Sequence, residues 1–141
     1  MGFFSSAEIS SSGMSVQRTV MDIIAENLAN INTMQVDGGD PYKRKIPIIG
    51  QYGISQFASI FKDKMSVKPY VKNIEEDLSD PKKVYEPGNP LADDDGYVYK
   101  PNINTNTEMI NMIFATRVYE ANIVAFNGSI SMAERALQIG T

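Results

Sequence analysis

The chain has no cysteine, no histidine and no tryptophan among its 141 residues. Without thiol or imidazole it cannot form disulfides and lacks the usual zinc and copper ligands, the thiol nucleophile and the commonest general base. The missing cysteines leave the compartment open, because a protein in an oxidising space can simply avoid thiols. Positive charge is also scarce: 13 Lys and Arg stand against 17 Asp and Glu, for a net charge of −4 and a pI near 4.8. The only dense basic cluster is Lys43, Arg44 and Lys45. A phosphate backbone calls for a clustered positive face, so no nucleic-acid partner is expected. Long apolar runs are absent too. The most apolar window, Met109 to Phe126, is broken by Asn111, Arg117, Glu120 and Asn122, which argues against a membrane span. The first basic residue is Arg18, preceded by Glu8 and followed by no unbroken apolar core, so no cleavable secretory signal is expected.

Proline and lysine are present but confined. Every one of either lies between Pro41 and Pro101, while residues 1–34 and 105–141 hold only Arg18, Arg117 and Arg135 as cations. This predicts two helical arms, 1–34 and 105–141, around an irregular, charged middle at 35–104. The fold class expected is mainly α with a small β-containing middle, the long terminal helices pairing as a coiled-coil hairpin.

In the second arm, Met109, Met112, Thr116, Tyr119, Ile123, Phe126, Ile130, Ala133 and Leu137 alternate in steps of three and four, the spacing of a supercoiled seam. Thr105 and Glu108 read as a capping box and Gly140 as a helix stop. Ordering such a helix costs about 1–2 kcal/mol per residue, so it needs a partner along most of its length. In the first arm Ser5 and Glu8 read as another capping box, with Phe4 and Ile9 as a hydrophobic staple. Met14, Met21, Ile24, Leu28 and Ile31 line one face, and Ile9, Val16, Val20 and Ile23 a second. Asn27 and Asn30 continue the second line, where they either fix register or mark a fraying helix end.

A two-helix hairpin leaves the second stripe of the first arm without a partner, together with Ile110, Ile113, Phe114, Val118 and Val124. These residues predict lateral contacts with other subunits. The middle opens with turn chemistry at Val36, Asp37, Gly38 and Gly39. It predicts one or two short strands within 46–61, another over 65–73, and an ordered loop or hairpin edge over 75–96. Asp93, Asp94, Asp95 and Gly96 fail as an EF-hand, because that register puts Leu91 first and Asn102 last; a solvated acidic turn fits better. The pair Glu75 and Glu76 has no nucleophile or phosphate cradle nearby. No enzyme, cofactor, metal or small-molecule substrate is expected.

The stretch Ser12, Gly13, Met14 followed by Ile24 through Thr33, with Asn27, Ala29, Asn30, Asn32 and Thr33 at its heart, resembles the amino-terminal signature of bacterial flagellar axial proteins. Gly39, Pro41, Tyr42, Pro87, Pro90, Gly96, Tyr97, Pro101, Asn102, Glu108, Met109, Arg117, Tyr119 and Asn122 are similar to motifs of the basal-body rod proteins within that family. Asn89 departs from a usual His and Leu91 from a usual acid, and 46–80 matches weakly. The resemblance implies a non-enzymatic subunit of the proximal rod. It implies further that the subunit leaves the cell through the flagellar type III export apparatus without a cleaved signal and assembles with copies of itself, other rod proteins and the surrounding rings in the periplasm. Subunit contacts are then expected at Met14, Met21, Ile24, Asn27, Leu28, Asn30, Ile31, Met109, Met112, Tyr119, Ile123, Phe126, Ile130 and Leu137. The competing reading is a secreted helical-hairpin binding module of the type III effector kind, with the proline-rich middle as its recognition surface.

Overall fold

A computed structural model describes residues 3–34, 40–52 and 67–139. The first element, α1, is a 27-residue helix over Phe3–Ala29. It begins two residues ahead of Ser5, so the expected capping box at Ser5 is not formed, and the staple rests on Phe4, whose side chain lies outside the described set. Serine and threonine are tolerated inside α1 because they bond back to the preceding turn: the Ser12 hydroxyl donates to the Ile9 carbonyl at 2.7 Å and Thr19 to Ser15 at 3.2 Å. Asn30 closes the end, its backbone and side-chain amides both donating to the Glu26 carbonyl. Ile31 therefore sits in the following turn rather than on the helical face expected for it.

Strands β1 (Lys45–Tyr52) and β2 (Lys68–Glu76) pair antiparallel, Lys45 opposite Glu76 and Tyr52 opposite Lys68, with a bulge between Ile48 and Ile49. An ion pair at each end fastens this sheet along α1: Lys45 bonds Glu26, and Lys68 meets Glu8 at 2.7 Å. The spans agree, since Glu8 to Glu26 covers about 27 Å of helix and Lys45 to Tyr52 about 24 Å of strand. The second apolar stripe of α1 thus has its partner inside the chain, contrary to expectation. Val16 and Ile23 are buried, and Pro69, Tyr70 and Val71 face Ser12, Val16 and Thr19. Residues 53–66, including part of both expected strand regions, lie outside the described set, as do Val36 to Gly39 and Gly140.

The stretch expected as an ordered loop or hairpin edge contains a second ladder. Strand β3 (Lys82–Tyr85) pairs antiparallel with β4 (Tyr97–Lys100). One face carries Lys83, Tyr85, Tyr97 and Tyr99, with the Lys83 ammonium 4.2 Å from the Tyr97 ring centroid. The other face turns Val98 inward, where it forms a small core with Ile103 and Pro101. The acidic turn is held by Asp93, whose carboxylate accepts from the amides of Asp95 (3.1 Å) and Tyr97 (2.7 Å). Gly96 adopts φ 81°, and a Cβ there would stand 3.0 Å from the Tyr85 ring.

Helix α2 runs over Thr105–Ile139, 35 residues. Its cap is Asn104, not Thr105: the Asn104 side-chain oxygen accepts from the amides of Asn106 (3.0 Å) and Thr107 (3.3 Å). Glu108 is one position too late for a capping box and turns inward instead. The helices pack as an antiparallel hairpin, but on a seam rotated from the expected one. The contacting line contains Glu108, Ala115, Asn122 and Ser129, each seven residues on, with Met112, Tyr119, Phe126 and Ala133 beside it. Met109, Thr116, Ile123, Ile130 and Leu137, expected in the seam, are exposed. Small residues recur along the contact, Ala115 and Ser129 on α2 and Ser6 and Gly13 on α1, and let the helix axes approach. A Cβ on Gly13 would stand 2.9 Å from the Asn122 side-chain oxygen, and Ser6 and Ser129 share a short hydroxyl bond.

Candidate subunit interface

Two features of the hairpin could do work: a buried polar network at its closed end and the apolar surface left on α2. The network begins at Asn27, 1% exposed, in the last turns of α1. Its side-chain nitrogen donates to the Lys45 carbonyl (2.9 Å) and to Glu108 Oε2 (3.3 Å); its oxygen accepts from the Lys45 amide (2.9 Å) and the Tyr42 hydroxyl (3.0 Å). Every donor and acceptor of that amide is used. Glu108, also 1% exposed, receives both Nε (2.8 Å) and NH2 (2.7 Å) of Arg44 on Oε1. This two-pronged bond is what allows a carboxylate to be buried. Burial first, then the nearby Glu26 carboxylate, push the Tyr42 hydroxyl above its ordinary pKa, so it stays a donor to Asn27. The network joins α1, β1 and α2 and leaves no buried side-chain polar atom unpaired among the described residues.

Of the residues singled out from the sequence, Asn27 and Glu108 meet here and Tyr42 joins them, whereas Asn30 closes the helix end. Arg44 was missed as Glu108's partner. The signal that could have found the seam is the seven-residue spacing of Ser6, Gly13, Val20 and Asn27 against Glu108, Ala115, Asn122 and Ser129. Other motif residues shape the surroundings. Pro101 is buried, the Asn102 amide donates to Ser79 at 3.2 Å, Gly96 makes the acidic turn and Tyr97 meets Tyr85 edge-on. Tyr119 accepts from Arg18 at 3.4 Å, Arg117 pairs with Glu120, and Asn122 donates to the Val118 carbonyl. Pro41 is half-buried, while Ala29, Asn32, Thr33, Pro87, Pro90 and Met109 are exposed; Gly39 lies outside the described residues.

The apolar surface is extensive. One flank of the hairpin presents Met14, Met21 and Leu28, half-buried, beside Met109, Met112, Ile123 and Ile130. The outer side of α2 exposes Ile110, Ile113, Phe114 and Val124, each more than 60%. Beneath Phe114, a groove of about 260 Å³ opens between Val20, Ile24, Ile46, Pro47 and Ile49, floored by the polar network. A helix apolar on nearly every side is one that is normally enclosed.

Comparison with known proteins explains that excess. Residues 8–34 match the family model described as flagella basal body rod protein, and residues 94–139 match that of the flagellar basal body rod FlgEFG protein C-terminal region. The flagellar basal-body rod protein FlgC of Bacillus subtilis is 41% identical, with 99% of each chain covered. That of Borreliella burgdorferi is 38% identical over 99% of this chain and 98% of its own, and that of Escherichia coli O157:H7 is 35% identical over 94% of each. The chain belongs to the FlgC family of flagellar basal-body rod proteins. It is a structural rod subunit of the bacterial flagellum, and its relatives carry the names of rod proteins rather than of enzymes. The two family models fall on α1 and on β4 with α2, so the hairpin described above is the part of this FlgC-family chain that the wider rod family shares.

Proposed function

We propose that the chain is a non-enzymatic subunit of the proximal rod, which assembles with copies of itself and with other rod proteins into a helical shaft carrying torque across the periplasm. The observation that carries this reading is the apolar outer side of α2, from Ile110 to Val124, which no described residue covers. Contacts repeated between unlike faces generate the open helical arrays a shaft requires.

In this reading Met14, Met21, Leu28, Met109, Met112, Tyr119, Ile123, Phe126, Ile130 and Leu137 meet neighbouring subunits. Ile24, Asn27, Asn30 and Ile31 serve the interface indirectly, by holding the hairpin. The β layers face outward toward neighbouring subunits and the rings, and export proceeds through the flagellar type III apparatus without a cleaved signal. Acids and cations between 35 and 104 nearly cancel, so the middle presents mixed charge suited to many weak contacts rather than a field that draws one ionic ligand. The test is a strain whose rod gene is replaced by this chain carrying Ile123→Asp. Loss of swimming, with the subunit absent from isolated basal bodies, is expected, and normal incorporation would contradict the reading.

A further inference from the structure

We infer that the Asn27–Glu108–Arg44 network is the device that selects one register of the helix hairpin over the neighbour its seven-residue repeat also allows. The inference concerns the hairpin itself and does not depend on the rod reading. The seam pairs Ser6 with Ser129, Gly13 with Asn122 and Asn27 with Glu108, each pair seven residues beyond the last, with Val20 falling toward Ala115 between them. Slide α2 by one heptad, about 10.5 Å, and Asn27 faces Ala115, Val20 faces Asn122, Gly13 faces Ser129 and Ser6 faces Ala136. The flanking lines repeat with the same period, Met14, Met21 and Leu28 against Met109, Thr116, Ile123, Ile130 and Leu137. The shifted hairpin therefore keeps a small residue at three of its four crossings and forfeits packing chiefly where Asn122 leaves Gly13 for Val20.

It also forfeits the network. Asn27 keeps its bonds to Tyr42 and the Lys45 backbone but loses Glu108, and Arg44 loses the same carboxylate. Glu108 itself passes beyond the helical part of α1 and leaves the paired environment that permits its burial. One polar position in an otherwise repetitive seam is enough to specify register, at some cost in stability. Register in turn fixes how far α2 projects past α1 and which exposed side chains line up as a surface.

The chain contains no cysteine, which makes the test clean. Full-length Ser6→Cys/Ser129→Cys reports the native register after mild oxidation, and Ser6→Cys/Ala136→Cys reports the shifted one. With the network intact the first pair is expected to close in at least about tenfold greater yield than the second. Adding Asn27→Leu and Glu108→Leu should bring the second yield up to that of the first. Ser6→Cys/Asn106→Cys, distant in both registers, distinguishes slippage from unfolding. If that control also closes, the decision passes to the shape-conserving Glu108→Gln, which should raise the shifted yield several-fold with the control silent. Unchanged selectivity in the network variants, or equal yields of both pairs with the network intact, would overturn the inference.

Discussion

At Glu108 the balance between desolvation and pairing is set by one guanidinium. Removing Arg44 while keeping the carboxylate leaves a buried charge uncompensated, a change that generally costs about 3–5 kcal/mol. Arg44 is itself about one quarter exposed, so solvent entering its place moderates the loss. The expected order of stability in denaturant unfolding is wild type, then the double variant Arg44→Gln/Glu108→Gln, then Arg44→Gln alone; a double variant less stable than the single one would mean that the two groups do not act as a pair. Gly96 makes a second prediction. Its φ of 81° and the 3.0 Å approach of the Tyr85 ring leave no place for a methyl group, so Gly96→Ala should cost about 1–2 kcal/mol by the same measurement, whereas Gly88→Ala, which meets nothing within 4 Å, should be close to neutral. Glu86 adds a pH dependence. Hydrogen bonds from Lys100 and Asn89 hold its carboxyl below the ordinary carboxylate value. A depressed folded-state pKa stabilises above the unfolded value, so this contribution is present at neutral pH and is lost as pH falls through the acid range. NMR titration of its side chain should show a midpoint below the ordinary glutamate value, and a midpoint above that value would contradict the pairing.

The elements divide into those written in local pattern and those decided by neighbours. Both helices were legible because proline is excluded from them and apolar residues recur at helical spacing over many turns. Their pairing face was not. The line of Met109, Thr116, Ile123, Ile130 and Leu137 was expected to share the seam, but the line of Glu108, Ala115, Asn122 and Ser129, which hydrophobicity ranks last, holds it. The cap of α2 was misread by one residue, because Asn104 and Thr105 are both good caps and only the geometry chooses. Strands β3 and β4 were lost among prolines and acids, four residues apiece being too short to show alternation. Asn27 was open in the sequence between fixing register and marking a fraying helix end, and its partners Tyr42 and Lys45 lie across a chain reversal that no local pattern reveals. At this scale the outward line of α2 and the acidic turn should respond differently. Ile123→Asp places a charge where a neighbour is expected, while Asp93→Asn leaves an amide oxygen able to accept the same backbone bonds. Soft-agar swimming should be lost in the first variant and kept in the second, and the reverse pattern would shift the functional surface to the turn.

For the whole molecule, the described part is a hairpin of two long helices, a sheet lying along one of them, a second small ladder at the closed end, and one polar network where helices and sheet converge. Its buried apolar core is confined to a few residues, Val16, Ile23, Ile24, Val98, Ile103 and Ala115 among those described. Such a chain is finished by its neighbours rather than by itself, which accords with membership of a rod-protein family. The most direct test is cysteine protection in intact basal bodies. The chain has no native cysteine, so Ile113→Cys and Val124→Cys introduce single reporters on the outer side of α2. A small thiol reagent should modify both rapidly in the isolated chain and at least about tenfold more slowly in purified basal bodies, while a cysteine at exposed Asp94 reports the access of reagent to the assembly. Labelling of Ile113→Cys and Val124→Cys in basal bodies as fast as in the free chain would show that this face meets no neighbour and would contradict the account.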